Sequence, residues 1–378
     1  MHLRVGRALP AILFVALVSC SGRGRVPMVQ QHDSAGISIA ILAPVKDWPA
    51  RGVLSERPMT TFGGNSVAEV PQLGNEYWIP VALLSDQSLV VGDHSRFFLY
   101  RKDGELVDVI GRQGDGPGEF RDLRSICAGR GDTLVLVDDG RRMATAYDVP
   151  GRLVIGQFPT VREVHPGACS SSLTILIAGL PVPDSPEGHP TAKYELRNMA
   201  GDTVGEYASL PKAYYGKFES VPSFAFRADS LFVTDGQRME VRVYAPDATL
   251  SKVLRVRERF DDRSSQVAPV REAPTAGTHA RASNPPSGVE PNYKTFKLGS
   301  DGRYWFLTQV DGVTEGRWAA VSADGHPIGT LTLPKRSGEF RVLQFLGDSV
   351  LVSEEREDGQ RRLAEYQILW SNLPASDS

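Results

Sequence analysis

Seven histidines and three cysteines are the residues of this 378-residue chain best suited to metal or thiol chemistry. His2, His32, His94, His165, His189, His279 and His326 each stand alone. None has the H-x-x-x-H, H-E-x-x-H or cysteine-paired spacing that sets two ligands on one metal ion. His94 and His165 could reach a central site, as could any loop histidine. Asp93, Asp138 and Asp235 end three similar apolar runs. Their recurrence reads first as turn capping through side-chain-to-backbone bonds, and second as an acidic cluster. Ser170-Ser171-Ser172 has neither a G-x-S-x-G elbow nor a partnered histidine in a recognisable order. Gly114-x-Gly116-x-Gly118 has the glycine content of a phosphate loop, but such a loop must open a helix. Pro117 interrupts it and a strand-like segment follows, so a structural turn is expected. Arg130-Gly131-Asp132 spells an adhesion tripeptide and also occupies the hairpin expected before Leu134. These residues lead us to expect no catalytic group, no metal and no cofactor.

Charge narrows the partners. Lys and Arg number 42 against 45 Asp and Glu, a formal net charge of −3. A broadly basic nucleic-acid surface is therefore excluded. The first twenty residues are a targeting segment, with Arg4 and Arg7 ahead of the apolar run Ala8–Val18. That run is about half the ~20 residues a membrane-spanning helix needs. It ends Leu17-Val18-Ser19-Cys20, which resembles a bacterial lipobox. The resemblance implies cleavage after residue 19, a diacylglycerol on the Cys20 thiol and acylation of its new amine. Residues 20–36 then read as a flexible tether, and the protein as anchored in the cell envelope. Ser21 stands where an Asp would signal inner-membrane retention, so in a two-membrane organism the outer membrane is expected, facing periplasm or exterior.

The elements that would hold any site are announced by self-similarity. Six short β-type runs recur, beginning with Ser88–Asp93, Thr133–Asp138 and Ser172–Ile177. Ser230–Asp235, Arg303–Thr308 and Ser349–Glu354 complete the set. Each is too short and too β-branched for a helix. Behind most of them comes a second strand ending in a tight turn, as in Tyr100-Arg101-Lys102-Asp103-Gly104 and Tyr147-Asp148-Val149-Pro150-Gly151. A further strand follows the turn, as in Leu106–Ile110, Leu153–Phe158, Leu250–Val256 and Ile328–Leu333. The abundance of turn formers (37 Gly and 26 Pro) agrees. Four strands per unit and six units predict an all-β, six-bladed β-propeller of four-stranded antiparallel blades over residues 37–370, with 371–378 as a tail. The sixth unit lacks a fourth strand, and an N-terminal strand from Pro58–Gly63 or Ile37–Leu42 could supply it and close the ring.

The junction Ile110-Gly111-Arg112-Gln113-Gly114-Asp115-Gly116-Pro117-Gly118-Glu119-Phe120 resembles the glycine-rich linker of NHL-type repeats. Val135–Asp138 and Arg142–Tyr147 continue the match. Across 37–370 the pattern is similar to bacterial six-bladed propeller lipoproteins, a resemblance that implies fold and little chemistry. Some six-bladed relatives are lyases or lactonases with metal ligands around the central channel. An envelope hydrolase or lyase of that kind is the alternative reading.

The preferred reading is a binding module, expected to be monomeric, for a protein, peptide or glycan partner. In this fold, links between second and third strands, and between blades, share one face. The long stretches 111–121, 178–192, 208–222, 257–297, 309–316 and 354–361 are assigned to it. Long loops on a rigid scaffold are where binding usually resides. Arg112, Arg121, Tyr214, Tyr215, Lys217 and Phe218 are the candidate contact residues, being aromatic or cationic groups of the kind that dominate interfaces. Residues 261–292, rich in Pro, Ser and Ala, read as a mobile insertion. With Cys20 lipidated, Cys127 and Cys169 remain near the inner strands of consecutive blades. They are expected to form a disulfide or to stay as two buried thiols.

Overall fold

The recurrent runs are strands because their Leu, Val and Ile side chains pack on both faces at once. Leu89–Gly92 and Thr133–Asp138 are buried at every position, the pattern of a strand enclosed on two sides. Outer strands instead alternate, as Leu153–Pro159 does between exposed and half-buried residues up to the buried Phe158. A computed structural model describes residues 27–63, 79–160, 164–182, 191–211, 222–236, 238–257, 293–310, 313–334, 339–356 and 359–371. Among these, helix is limited to two 3-10 turns, Val45–Asp47 and Arg130–Asp132.

Strands β1 (Val29–Ser34), β2 (Ile37–Leu42), β3 (Ala50–Leu54) and β4 (Thr60–Phe62) come first. The first four-stranded sheet is β5 (Val81–Leu83), β6 (Leu89–Gly92), β7 (Phe97–Tyr100) and β8 (Leu106–Ile110). A short parallel pair, β9 (Arg112–Gln113) and β10 (Glu119–Phe120), leads to the second. That sheet is β11 (Leu123–Ala128), β12 (Thr133–Asp138), β13 (Met143–Asp148) and β14 (Leu153–Pro159). The third is β15 (Val164–Cys169), β16 (Ile175–Val182), β17 (Thr191–Arg197) and β18 (Thr203–Pro211). The fourth meander is β19 (Phe224–Arg227), β20 (Ser230–Val233), β21 (Glu240–Tyr244) and β22 (Leu250–Val256). The fifth is β23 (Tyr293–Leu298), β24 (Tyr304–Val310), β25 (Val313–Val321) and β26 (Pro327–Thr332). The chain finishes with β27 (Phe340–Phe345), β28 (Ser349–Glu355) and β29 (Arg361–Ser371).

First strands of successive sheets lie side by side: β5 by β11, β11 by β15, β15 by β19, and β23 by β27. Apolar layers fill the space between sheets, such as Phe97, Leu134 and Tyr147 between the first and second. Phe62, Tyr100, Leu343 and Leu363 pack the first sheet against β27–β29. The architecture is all-β and propeller-like.

The N-terminal strands depart from the sequence reading. Val29–Ser34, assigned there to the tether of residues 20–36, forms β1 and pairs antiparallel with β2. Beyond Val29, which packs against the core, its side chains are polar and exposed, so most of its stabilisation comes from backbone pairing with apolar β2. Ile37–Leu42 pairs parallel with β22 of the fourth sheet and not with the last strands. Thr60–Phe62 pairs antiparallel with Glu365–Leu363 of β29, while β3 pairs with the end of β29 and with β26. The stretch 309–316 is not a long loop, because Val310 of β24 pairs with Val313 of β25; β-branched residues carry both strands onward. Ser371, expected in the tail, is the last residue of β29. The signal segment 1–19, Cys20 and the insertion 261–292 lie outside the described residues.

Candidate binding face

Antiparallel meanders place the links between second and third strands, and between sheets, at one end of each sheet. That end is built on aspartates. The Asp93 Oδ1 accepts from Ser95 and Arg96 N–H at 3.0 Å each, and its Oδ2 from Arg96 Nε at 2.8 Å. The buried Asp138 accepts three backbone N–H groups: Arg121 at 2.9 Å, Asp122 at 3.0 Å and Arg141 at 3.1 Å. Asp235 Oδ1 accepts from Arg238 N–H at 2.9 Å. These carboxylates cap turns, satisfying donors that the strand ladders leave over.

Asp138 thereby fixes the end of the 111–121 link, and that link is internally braced. Arg112 Nη2 lies 2.6 Å from Glu119 Oε1, and Gly116 N–H donates to Glu119 Oε2 at 2.8 Å. The Gly116 bond and then Arg112 hold the Glu119 carboxyl below its ordinary pKa. Arg121 pairs with Asp115 at 2.5 Å. Arg141 donates to the carbonyls of Gly116 and Glu119 at 3.2 and 2.6 Å. Gly111 has φ +94°, and a Cβ there would meet the buried Phe120 ring at 2.9 Å. The glycine-rich stretch is thus a turn, with Glu119 making bonds that a bound phosphate would make in a nucleotide loop. Arg112 and Arg121 stand on it largely exposed, each already engaged by a carboxylate of the same link. Tyr214, Tyr215, Lys217 and Phe218 lie outside the described residues.

Nearer the first strands, His94 Nδ1 lies 3.3 Å from Asp122 Oδ1, and Arg124 Nε donates to Asp122 Oδ2 at 2.9 Å. Leu123 N–H donates to His94 O at 2.7 Å, locking the second sheet onto the first at this point. Among the described residues no group of three or more His, Cys, Asp or Glu is placed to hold a metal ion. Cys127 of β11 and Cys169 of β15 are joined by a disulfide, with Cα atoms 6.0 Å apart, so first strands of neighbouring sheets are covalently linked.

Sequence reasoning missed Lys297 on β23. Its Nζ donates to Leu343 O of β27 at 2.8 Å, and Gln344 Nε2 returns a bond to Leu298 O at 2.9 Å. Burial, with the Arg341 charge adding to it, pushes the ammonium down to about 8. Tyr293–Leu298 mixes two lysines and a threonine with aromatic and apolar residues, so no local signal marked Lys297.

At the opposite end, Asp132 of the Arg130-Gly131-Asp132 turn accepts from Ser85 N–H at 2.7 Å and Ser85 Oγ at 2.8 Å. Arg130 faces Asp229. The Ser171 and Ser172 hydroxyls donate to the same Asp229, at 3.1 and 2.7 Å. The tripeptide and the serine run are therefore stitches between sheets, joining the second to the first and fourth and the third to the fourth.

No family model matches the chain. No curated protein matches it. Solved structures do, at low identity. A "putative exported protein" from Bacteroides fragilis is 11% identical over 88% of this chain and 99% of that one, with a TM-score of 0.53. A catalytically inactive virginiamycin B lyase from Staphylococcus aureus, solved with quinupristin, is 10% identical over 78% of this chain and 86% of its own, TM-score 0.38. The WD40 domain of Neurospora crassa Pan2 is 7% identical over 77% and 74%, TM-score 0.37. The likeness to the first is one of fold, and it covers nearly the whole of both chains.

Proposed function

We propose that this chain is a lipid-anchored, six-bladed β-propeller of the cell envelope that binds a protein, peptide or glycan partner through its long-link face. Six blades follow if β27–β29 and β4 are counted as one. The pairing of β4 with β29 and the apolar layer between that unit and the first sheet support closure by the N-terminal strand. The NHL-like linker agrees with that count. Anchoring rests on the lipobox at Cys20, and the disulfide suits an oxidising envelope compartment. No helix among the described residues is long and apolar enough to cross a membrane.

The observation that carries the binding reading is the braced 111–121 link. Arg112 and Arg121 are held in place by their own carboxylates yet remain largely exposed. Arginines fixed before contact lose less side-chain freedom when a partner arrives, and arginine is enriched at binding hot spots. The test pairs Arg112→Ala/Arg121→Ala with Tyr214→Ala/Tyr215→Ala in affinity capture from envelope extracts, alongside melting curves. Binding predicts loss of the partner that co-purifies with the parent, at a melting temperature within about 2 °C, since exposed pairs contribute about 0–1 kcal/mol. Unchanged partners at unchanged stability would refute it.

A further inference from the structure

The chain enters the fold at the long-link end of the fourth sheet. β1 runs antiparallel to β2 with Val29 opposite Leu42, and β2 runs parallel to β22 with Leu42 beside Val256. Because β22 follows the tight turn at 245–249, Val256 marks the end from which the link to the fifth sheet departs. Ala43 N–H donates to Met28 O at 2.9 Å and Arg257 N–H to Leu42 O at 3.0 Å, pinning these segments together there. Between the proposed anchor at Cys20 and β1 lie only residues 21–28. Fully extended at about 3.3–3.6 Å per residue, they reach about 30 Å at most. A lipid on Cys20 would keep this end of the fourth sheet close to the bilayer.

The same end is basic. Arg238, Arg242, Arg255 and Arg257 stand there with Asp235 and Glu240 as the carboxylates beside them. Glu240 is nearly fully buried, 2.9 Å from Arg242 Nε and 2.5 Å from Arg255 Nη2. Burial alone would raise its pKa, but the two arginines outweigh burial and hold it low, so it stays charged inward. Asp235 is turned to the backbone N–H of Arg238. Arg257 reaches Gln30 of β1. Arg238 and Arg255 are exposed. Arg238 and Arg255 thus meet solvent, with Arg242 and Arg257 half-buried beside them, against two inward-directed carboxylates in a chain whose net charge is negative.

We propose that this rim of the fourth sheet is a membrane-contact edge that binds anionic phospholipid headgroups and holds this side of the propeller-like body toward the bilayer. The orientation rests on the Cys20 reading; headgroup binding rests on the arginines alone. Guanidinium forks match phosphate oxygens two at a time. Each basic group near an anionic surface strengthens binding by about five-fold at moderate ionic strength.

The experiment is co-sedimentation of the mature chain from residue 20, carrying Cys20→Ser so that no lipid contributes. The vesicles are phosphatidylcholine alone or phosphatidylcholine with phosphatidylglycerol. Binding is expected to the phosphatidylglycerol vesicles, to fall with salt, and to drop about 25-fold in Arg238→Gln/Arg257→Gln. Arg101→Gln/Arg152→Gln, which removes the same charge from exposed sites on short turns at the opposite end, is expected to leave it unchanged. No binding to phosphatidylglycerol, or an equal loss in both double variants, overturns the proposal. Cell fractionation of the full chain with Cys20→Ser reports separately on the anchor. A variant that stays in the membrane fraction and migrates like the parent would sink the lipidation reading without touching the headgroup result.

Discussion

Removing the Cys127–Cys169 disulfide perturbs the fold where neighbouring first strands meet. The bridge spans a sequence separation of 42 residues. On the chain-entropy estimate, closing a loop of that length removes about 13 cal/mol/K from the unfolded ensemble, or about 4 kcal/mol at 25 °C. Cys169 is also buried against Val135, Ala144 and Ile175, so truncation to alanine adds about 1 kcal/mol of lost packing. At about 2.1 cal/mol/K per residue, the unfolding entropy of a chain this size is about 0.7 kcal/mol/K. The double variant Cys127→Ala/Cys169→Ala should therefore melt about 5–7 °C below the parent. The assay is scanning calorimetry of both proteins in a Cys20→Ser background, with the parent repeated after reduction and alkylation. The reduced parent should fall by nearly the same amount, since both treatments free the same loop. A shift under about 1 °C would refute the reasoning, as would two titratable thiols in the denatured, unreduced parent.

Lys297→Met tests the buried ammonium. Between about 8, its value in the fold, and the ordinary lysine value of 10.5, the unfolded chain holds a proton that the folded chain has released. Stability from this group therefore rises with pH across that window, and below it the folded state bears the cost of a buried charge. The methionine variant should be more stable than the parent at pH 7 by up to about 3 kcal/mol, less the lost bond to Leu343 O, and the gap should close toward pH 10.5. Denaturant titrations at pH 7, 8.5 and 10 check this, and parallel pH profiles would count against it. Asp138→Ala strips the acceptor from the N–H groups of Arg121, Asp122 and Arg141, and should cost about 3–5 kcal/mol. Asp138→Asn, which keeps an oxygen there, should cost about half as much, read from guanidinium midpoints.

How much could be read from the sequence depended on where each residue's partner lay. Thr133–Asp138 was legible because a strand enclosed on both faces needs an apolar centre, and the turn-capping role of Asp138 because the Arg141 N–H, one of the three it accepts, lies just beyond the strand end. Val29–Ser34 was not, since an exposed rim strand carries no alternation and its pairing with Ile37–Leu42 leaves no mark on its own side chains. Arg112 and Arg121 were visible as residue types, but the carboxylates that hold them, Glu119 and Asp115, are fixed by how the link folds back on itself. Lys297 was opaque for a different reason. A lysine in a strand ordinarily marks the solvent side, and only the approach of β27 makes Leu343 O its partner. The same limit applies to the arginine rim. Arg238 and Arg257 are separated along the chain by two strands and a turn, and nothing local says that the N-terminal strand returns beside them. The proposed binding face therefore belongs to strand ends that the propeller-like packing of sheets brings together, with charge placed by register and not by motif.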